Sequence, residues 1–392
     1  MIDTIILSIP RPKTIELDLR IQGVGLWGLQ SRAKGFEKYI RNPSINDKKT
    51  GLYFPRLTGI KRTMQGNAAG QTLKIEFSAP KLIYKNNLDE LEENDFDRLV
   101  QTLGDRMKRM GIIVSREVLE QASVTAVHYS KNIVLSGGYT SQYVLSELGK
   151  INLAKRFDLT RARYMNDGQS ITLYTIAHSL ILYDKIADLV KPDKRAIDKE
   201  QGPYQRSLFE SLEKQDEVLR FEVRLSKKQK LNQVFAKLGY GTHPTFRQVF
   251  MLEKSLAVMG DYWQSMIKGS ATALFAYSLT AKDLLKQILI ADNTLKPKQA
   301  LYLTGLLQTG KEGNGLREAR TILVKYGNDR TWYRIMDDYK AISERLSILR
   351  PRDWLEQISN QLTNYKAFQT ERLSTCPVKK SQVKCNHYEY DK

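Results

Sequence analysis

The segment Glu217-Val-Leu-Arg-Phe-Glu-Val-Arg-Leu225 has a period of two. Successive side chains of an extended chain point to opposite faces. Val218, Arg220, Glu222 and Arg224 therefore share one face, and Leu219, Phe221, Val223 and Leu225 the other. A strand with charges on one side and apolar groups on the other lies at a core boundary. That places Arg220, Glu222 and Arg224 on a solvent or active-site side.

Toward the N-terminus the chain alternates strands and helices. Thr4–Ile9 and Glu16–Ile21 read as strands, and Leu57–Met64 and Gln71–Ser78 as a hairpin around Gly66 and Gly70. Asp95–Met110 puts Phe96, Leu99, Val100, Leu103 and Met107 on one helical face. Ser123–Leu135 is a long strand containing His128, closed by Gly137-Gly138, and Thr140–Leu148 a helix. Gln169–Thr175 and Leu180–Lys185 are strands joined at Ala177-His178-Ser179, with a helical stretch up to Pro192.

Beyond Ser226 the strand signal fades. Lys227–Leu238, Thr245–Met266, Ala281–Ile290, Lys296–Gln308, Leu316–Lys325, Asp329–Ile348 and Pro351–Ala367 read as helices. The expected class is α+β: an antiparallel-rich sheet with flanking helices over residues 1–225, then a helical domain over 226–372 and a basic tail over 373–392. No internal repeat or low-complexity block is present.

The chain has 392 residues, enough for about two or three domains. Its 62 Lys and Arg against 43 Asp and Glu give a net charge of +19, which attracts polyanions without distinguishing DNA, RNA and anionic membrane. No apolar run reaches the roughly 18–20 residues of a membrane span. Met1–Pro10 reads as a strand and not as a signal peptide, for want of a basic leader. The two cysteines, Cys376 and Cys385, fit a reducing cytoplasm, and with His387 they match no zinc spacing. Gly305-Leu-Leu-Gln-Thr-Gly-Lys311 falls short of a P-loop, because Glu312 stands where Ser or Thr is required.

Tyr183 closes the strand Ser179-Leu-Ile-Leu-Tyr183, and Lys185 follows at i+2, on the same face if the strand continues. A tyrosine beside a lysine can attack a phosphodiester, with the cation favouring phenolate and a metal activating the phosphate. Equally, Tyr-Asp-Lys can be the end of an exposed strand, since the chain has 20 tyrosines. There are four histidines and no His-hydrophobic-His pair, so a metal site here combines one imidazole, His128, with carboxylates. That donor set suits Mg²⁺ or Mn²⁺. Glu222 is the best carboxylate, with Glu76 and Asp3 weaker, though Arg220, Glu222 and Arg224 can also form a structural ladder. Tyr129-Ser-Lys-Asn132 offers phosphate-contacting groups, among them Lys131. Three helices between Lys296 and Ile348 fit a helix-turn-helix, with Arg330 and Arg334 opening the third.

Taken together these segments resemble the replication initiators of filamentous phages, the gene II/X type, which are related to plasmid rolling-circle initiators. The resemblance covers about residues 1–225 and rests on Met1-Ile-Asp3 with Leu7 and Pro10, Phe77-Ser-Ala-Pro-Lys81, Tyr183-Asp-Lys185 and Arg220-Phe-Glu-Val-Arg224. Relatives carry an acid near the position of His128. The resemblance implies a site-specific nickase that joins strands through a 5′-phosphotyrosine on Tyr183, with Lys185 stabilising charge. It also implies Mg²⁺ or Mn²⁺ near His128 and Glu222, and Lys131, Arg220 and Arg224 among the DNA-contacting groups. Its partners would be double-stranded origin DNA, single-stranded DNA and a host helicase and polymerase, in a bacterial cytoplasm. Other readings are a non-catalytic DNA-binding regulator on the same fold, a conjugative relaxase and, less favoured for lack of an RNA-binding pattern, an RNA-binding protein.

Overall fold

The computed structural model describes residues 1–10, 15–16, 28–33, 36–43, 47, 49–64, 67–151, 161–165, 169–190, 217–267, 280–346 and 352–370. The N-terminal strands are β1 (Ile2–Pro10), β2 (Ile15–Glu16), β3 (Gly28–Ala33), β4 (Phe36–Arg41), β5 (Arg56–Met64) and β6 (Asn67–Ser78). Helices α1 (Ala79–Tyr84) and α2 (Phe96–Arg109), strand β7 (Ile112–Ile113) and helix α3 (Arg116–Glu120) lead to β8 (Ser123–Leu135). Then come α4 (Ser141–Gly149), β9 (Arg161–Met165), β10 (Ser170–Tyr174), β11 (His178–Asp184), α5 (Lys185–Val190) and β12 (Glu217–Leu225). The remaining elements are helices: α6 (Lys228–Lys237), α7 (Phe246–Phe250), α8 (Leu252–Ile267), α9 (Ala281–Ala291), α10 (Pro297–Thr309), α11 (Leu316–Tyr326), α12 (Asp329–Arg345) and α13 (Asp353–Thr363).

The α+β class stands. Ten strands form one sheet in the order β3-β4-β5-β6-β1-β8-β12-β11-β10-β9, and every neighbouring pair is antiparallel. The centre, β1, β8 and β12, is buried on one face by helices. Phe221 of β12 meets Trp263 of α8 edge to face at 6.0 Å, a geometry worth about 0.5–1.5 kcal/mol beyond area burial. Tyr129 of β8 donates its hydroxyl to the carbonyl of Val249 at 2.9 Å. Both strands follow the boundaries read from the sequence. So does the core face of α2, where Phe96, Leu99, Val100, Leu103 and Met107 are all buried, with Asp97 in the first turn and Arg106, Lys108 and Arg109 in the last complementing the helix dipole.

Three expectations need correction. The Thr245–Met266 helix is broken at Met251, whose extended backbone (ψ 131°) separates α7 from α8. The strand expected to run to Lys185 stops at Asp184, and Lys185 opens α5, where Asp184 accepts from the Ala187 amide. The composition change at 225 is not a packing boundary. Side chains of α6, α7, α8 and α13 share one continuous core with the sheet. Helices α9 to α12 pack mainly on one another. Residues 17–21, Gly66, and the tail with Cys376, Cys385 and His387 lie outside the described residues. No helix among the described residues is long and apolar enough to cross a membrane.

Candidate active site

The second face of the central strands carries the polar groups. Register alone places them: Arg224 lies opposite His128, Glu222 opposite Ser130, and Arg220 opposite Asn132. Tyr183 of β11 lies opposite Arg220, so it shares that face. Asp3 arrives by a different device. The pairing of β1 with β8 shifts between Ile2 and Thr4, leaving Asp3 as the extra residue. Such a bulge re-aims a side chain, and Asp3 turns toward β12.

Asp3, His128 and Glu222 each offer a donor atom, all within 4.8 Å of one another. His128 Nδ1 is 3.7 Å from Glu222 Oε1. Octahedral ligands about 2.1 Å from an ion are about 3–4 Å apart, so small side-chain adjustments bring the three to bonding distance. Burial holds the His128 imidazole below its ordinary pKa, against the opposing pull of Glu222, and so favours the neutral ring. Burial raises the Asp3 carboxyl, but Arg220, Lys185 and His128 outweigh it and keep the group below its ordinary value. A neutral imidazole and an ionised carboxylate are the forms a divalent ion requires. One nitrogen and two carboxylates suit Mn²⁺ or Mg²⁺.

Two arginines hold the carboxylates. Arg220 Nη2 donates to Asp3 Oδ1 at 2.7 Å and to Ser130 Oγ at 2.8 Å, and its Nη1 donates to the Asn87 carbonyl and Asn132 Oδ1. Arg224 donates from Nε and Nη2 to the two oxygens of Glu222, at 2.8 and 3.2 Å. Arg220 is 2% exposed while 40% of the Arg224 side chain is exposed, so only Arg224 can reach a bound polyanion. The expected DNA contact at Arg220 is replaced by a structural clamp.

Tyr183 is half-buried, and burial keeps its phenol above the ordinary pKa, partly countered by Arg220. Lys185 is 1% exposed, with Nζ 5.7 Å from the Tyr183 ring centroid and 3.9 Å from Asp188 Oδ2. Burial, then Arg220, pushes the Lys185 ammonium down to about 7. The expected proximity of Tyr183 and Lys185 is present, but it arises at a strand-to-helix junction and not along a strand.

Two further expectations fail. Lys131 does not face a ligand. It is buried, with Nζ bonded to Glu90 Oε2 at 2.7 Å and to the carbonyls of Asn132 and Lys366. Its odd position on β8 puts it with Tyr129, opposite the face of His128. Glu76 lies on β6, separated from β8 by β1, and its carboxylate is 4.0 Å from Arg56. Asp3 takes its place because of the bulge. Arg330 and Arg334 are exposed on α12, an element packed in the helical bundle. Ser130 and Asn132, expected to contact phosphate, instead accept from Arg220 and position it, and their parity with His128 is readable. Comparison with family models, curated proteins and solved structures finds no match.

Proposed function

We propose that the chain is a metal-dependent nuclease that nicks and rejoins one DNA strand, with Tyr183 as nucleophile. The observation carrying this reading is the common face shared by Tyr183, Arg220 and the Asp3–His128–Glu222 cluster on neighbouring strands. A divalent ion held by the cluster supplies charge stabilisation at a phosphodiester. In the forward step the Tyr183 Oη–phosphorus bond forms and the bond from phosphorus to the 3′ oxygen breaks. The phenol proton passes to the Lys185 amine, and the leaving oxygen takes up a proton from solvent. Arg224, whose side chain is 40% exposed, would pair with the phosphate, and Arg220 keeps Asp3 aligned. Joining is the reverse, with the phosphotyrosine bond conserving the energy of the phosphodiester. The role that follows is initiation of rolling-circle replication on an origin duplex, with a host helicase and polymerase extending the free 3′ hydroxyl.

The test is incubation with a randomised pool of single-stranded oligonucleotides and Mn²⁺, followed by denaturation in detergent and peptide mapping. A covalent adduct on Tyr183, absent in EDTA and in Tyr183→Phe, supports the reading. Adduct formation that survives Tyr183→Phe removes Tyr183 from the mechanism. DNA binding with no adduct under any condition favours the non-catalytic regulator.

A further inference from the structure

Beside the cluster, on the same sheet face, lies a cleft of about 440 Å³. The face is fixed by parity: cleft residues Ala126 and Ile6 are each two positions from His128 and Thr4 on their strands, and those two pair with each other. Arg62 of β5, Lys74 of β6, and Lys227 and Lys228 at the start of α6 surround it. Among the described residues its lining includes no carboxylate. Burial, then the neighbouring charges of Lys38, Arg62 and Lys227, lowers the Lys74 pKa. The floor is apolar at Ile6 and Ile60, Ser8 and Thr72 add hydroxyls, and the Thr125 hydroxyl donates to the Ile6 carbonyl at 3.2 Å. Its volume falls in the ~300–1,000 Å³ range of ligand sites, larger than a lone phosphate needs. Among the described residues no aromatic side chain lines it, so they supply no stacking platform to read bases.

We infer that this cleft binds a single strand of nucleic acid through its phosphates, without reading its bases. Cations on separate strands and a helix start can follow successive phosphates, while the apolar floor accepts sugar edges. The cleft adjoins the cluster through β1 and β8, and Tyr183 lies beyond the cluster on β11. A strand lying across the sheet thus passes from the cleft over the candidate metal ligands to the tyrosine. The inference rests on the nuclease reading for what the strand is used for. Binding measured in EDTA is independent of nicking.

The experiment is fluorescence anisotropy of a labelled oligothymidylate of about twelve nucleotides, in EDTA, across a salt series, with the full chain. The triple variant Arg62→Gln/Lys74→Gln/Lys227→Gln is expected to bind about tenfold or more weakly. It should also flatten the salt slope by about 2, at ~0.7 per phosphate contact. The control Lys282→Gln/Lys286→Gln/Lys325→Gln removes the same charge from the helical bundle and should change affinity less than about threefold. An abasic strand of the same length should bind within about threefold of the thymidylate. Equal weakening by both triple variants overturns the site. A tenfold loss on removing the bases overturns the phosphate assignment, and tighter binding of a duplex or of anionic vesicles overturns the single strand. Cleft-dependent binding with no covalent adduct would remove the nuclease and leave the cleft.

Discussion

Arg220 of β12 reaches across the intervening strand β8 to donate to Asp3 of β1 at 2.7 Å, with Ser130 of β8 accepting from the same nitrogen. One guanidinium thereby ties three strands together beneath the candidate site. Its burial makes it a structural element as well as an electrostatic one.

Arg220→Met leaves the Asp3 carboxylate without its main partner. Breaking a buried pair from one side costs about 3–5 kcal/mol. Urea unfolding should show that loss at an unchanged denaturant slope. The double variant Arg220→Met/Asp3→Leu should recover much of it. A loss under about 1 kcal/mol in the single variant would show that the clamp is not structural.

Mn²⁺ should raise thermal stability through the cluster. At a hundredfold excess over its dissociation constant a bound ion contributes about 2.7 kcal/mol. Asp3→Asn and His128→Ala should abolish the shift in differential scanning fluorimetry, while Glu76→Gln should keep it. A full shift in His128→Ala would place the ion elsewhere.

The Glu90–Lys131 pair should govern acid stability. Burial pushes the Glu90 carboxyl up, but Lys131 and the Phe368 amide help hold it below its ordinary value of 4.5. A depressed carboxyl contributes stability above its unfolded pKa and loses it as pH falls through the folded one. Glu90→Gln should therefore cost about 3–5 kcal/mol at neutral pH. The difference between the two proteins should shrink as pH falls below the ordinary 4.5 and through the depressed folded pKa. A constant difference across that window would contradict the assignment.

Lys185 should be a stability cost kept for its chemistry. Its ammonium falls from an ordinary 10.5 to about 7 in the folded chain. Between those values the unfolded chain binds the proton more, so stability rises with pH. The cost is greatest below about 7 and fades toward 10.5. Lys185→Met should be more stable than the wild type by on the order of 2 kcal/mol at mildly acidic pH, with the gap closing near pH 10. It should also lose adduct formation. Equal stability of the two proteins at acidic pH would show that the amine is not held neutral.

Legibility varied with the range of the interaction. The facing of Arg220, Glu222 and Arg224 was readable because parity along a strand is local. The core face of α2 was readable because its apolar spacing is local too. Lys131 was misread because parity separates two faces without saying which one the helices cover. Glu76 and Asp3 were not told apart because strand order and a bulge are not encoded in the spacing of either segment. The cleft cations were not singled out, since Arg62, Lys74 and Lys227 belong to three separate elements.

The sequence by itself determined the α+β class, the bounds of β8 and β12, and the pairing of Tyr183 with a nearby lysine. These follow from side-chain periodicity and chain neighbourhood, which act over a few residues. Tertiary structure alone decided that β1 lies against β8, that a bulge aims Asp3 at His128 and Glu222, and that Arg220 is buried beneath them. Those facts depend on strand order in a ten-stranded sheet, where segments more than a hundred residues apart become neighbours through burial of a shared core.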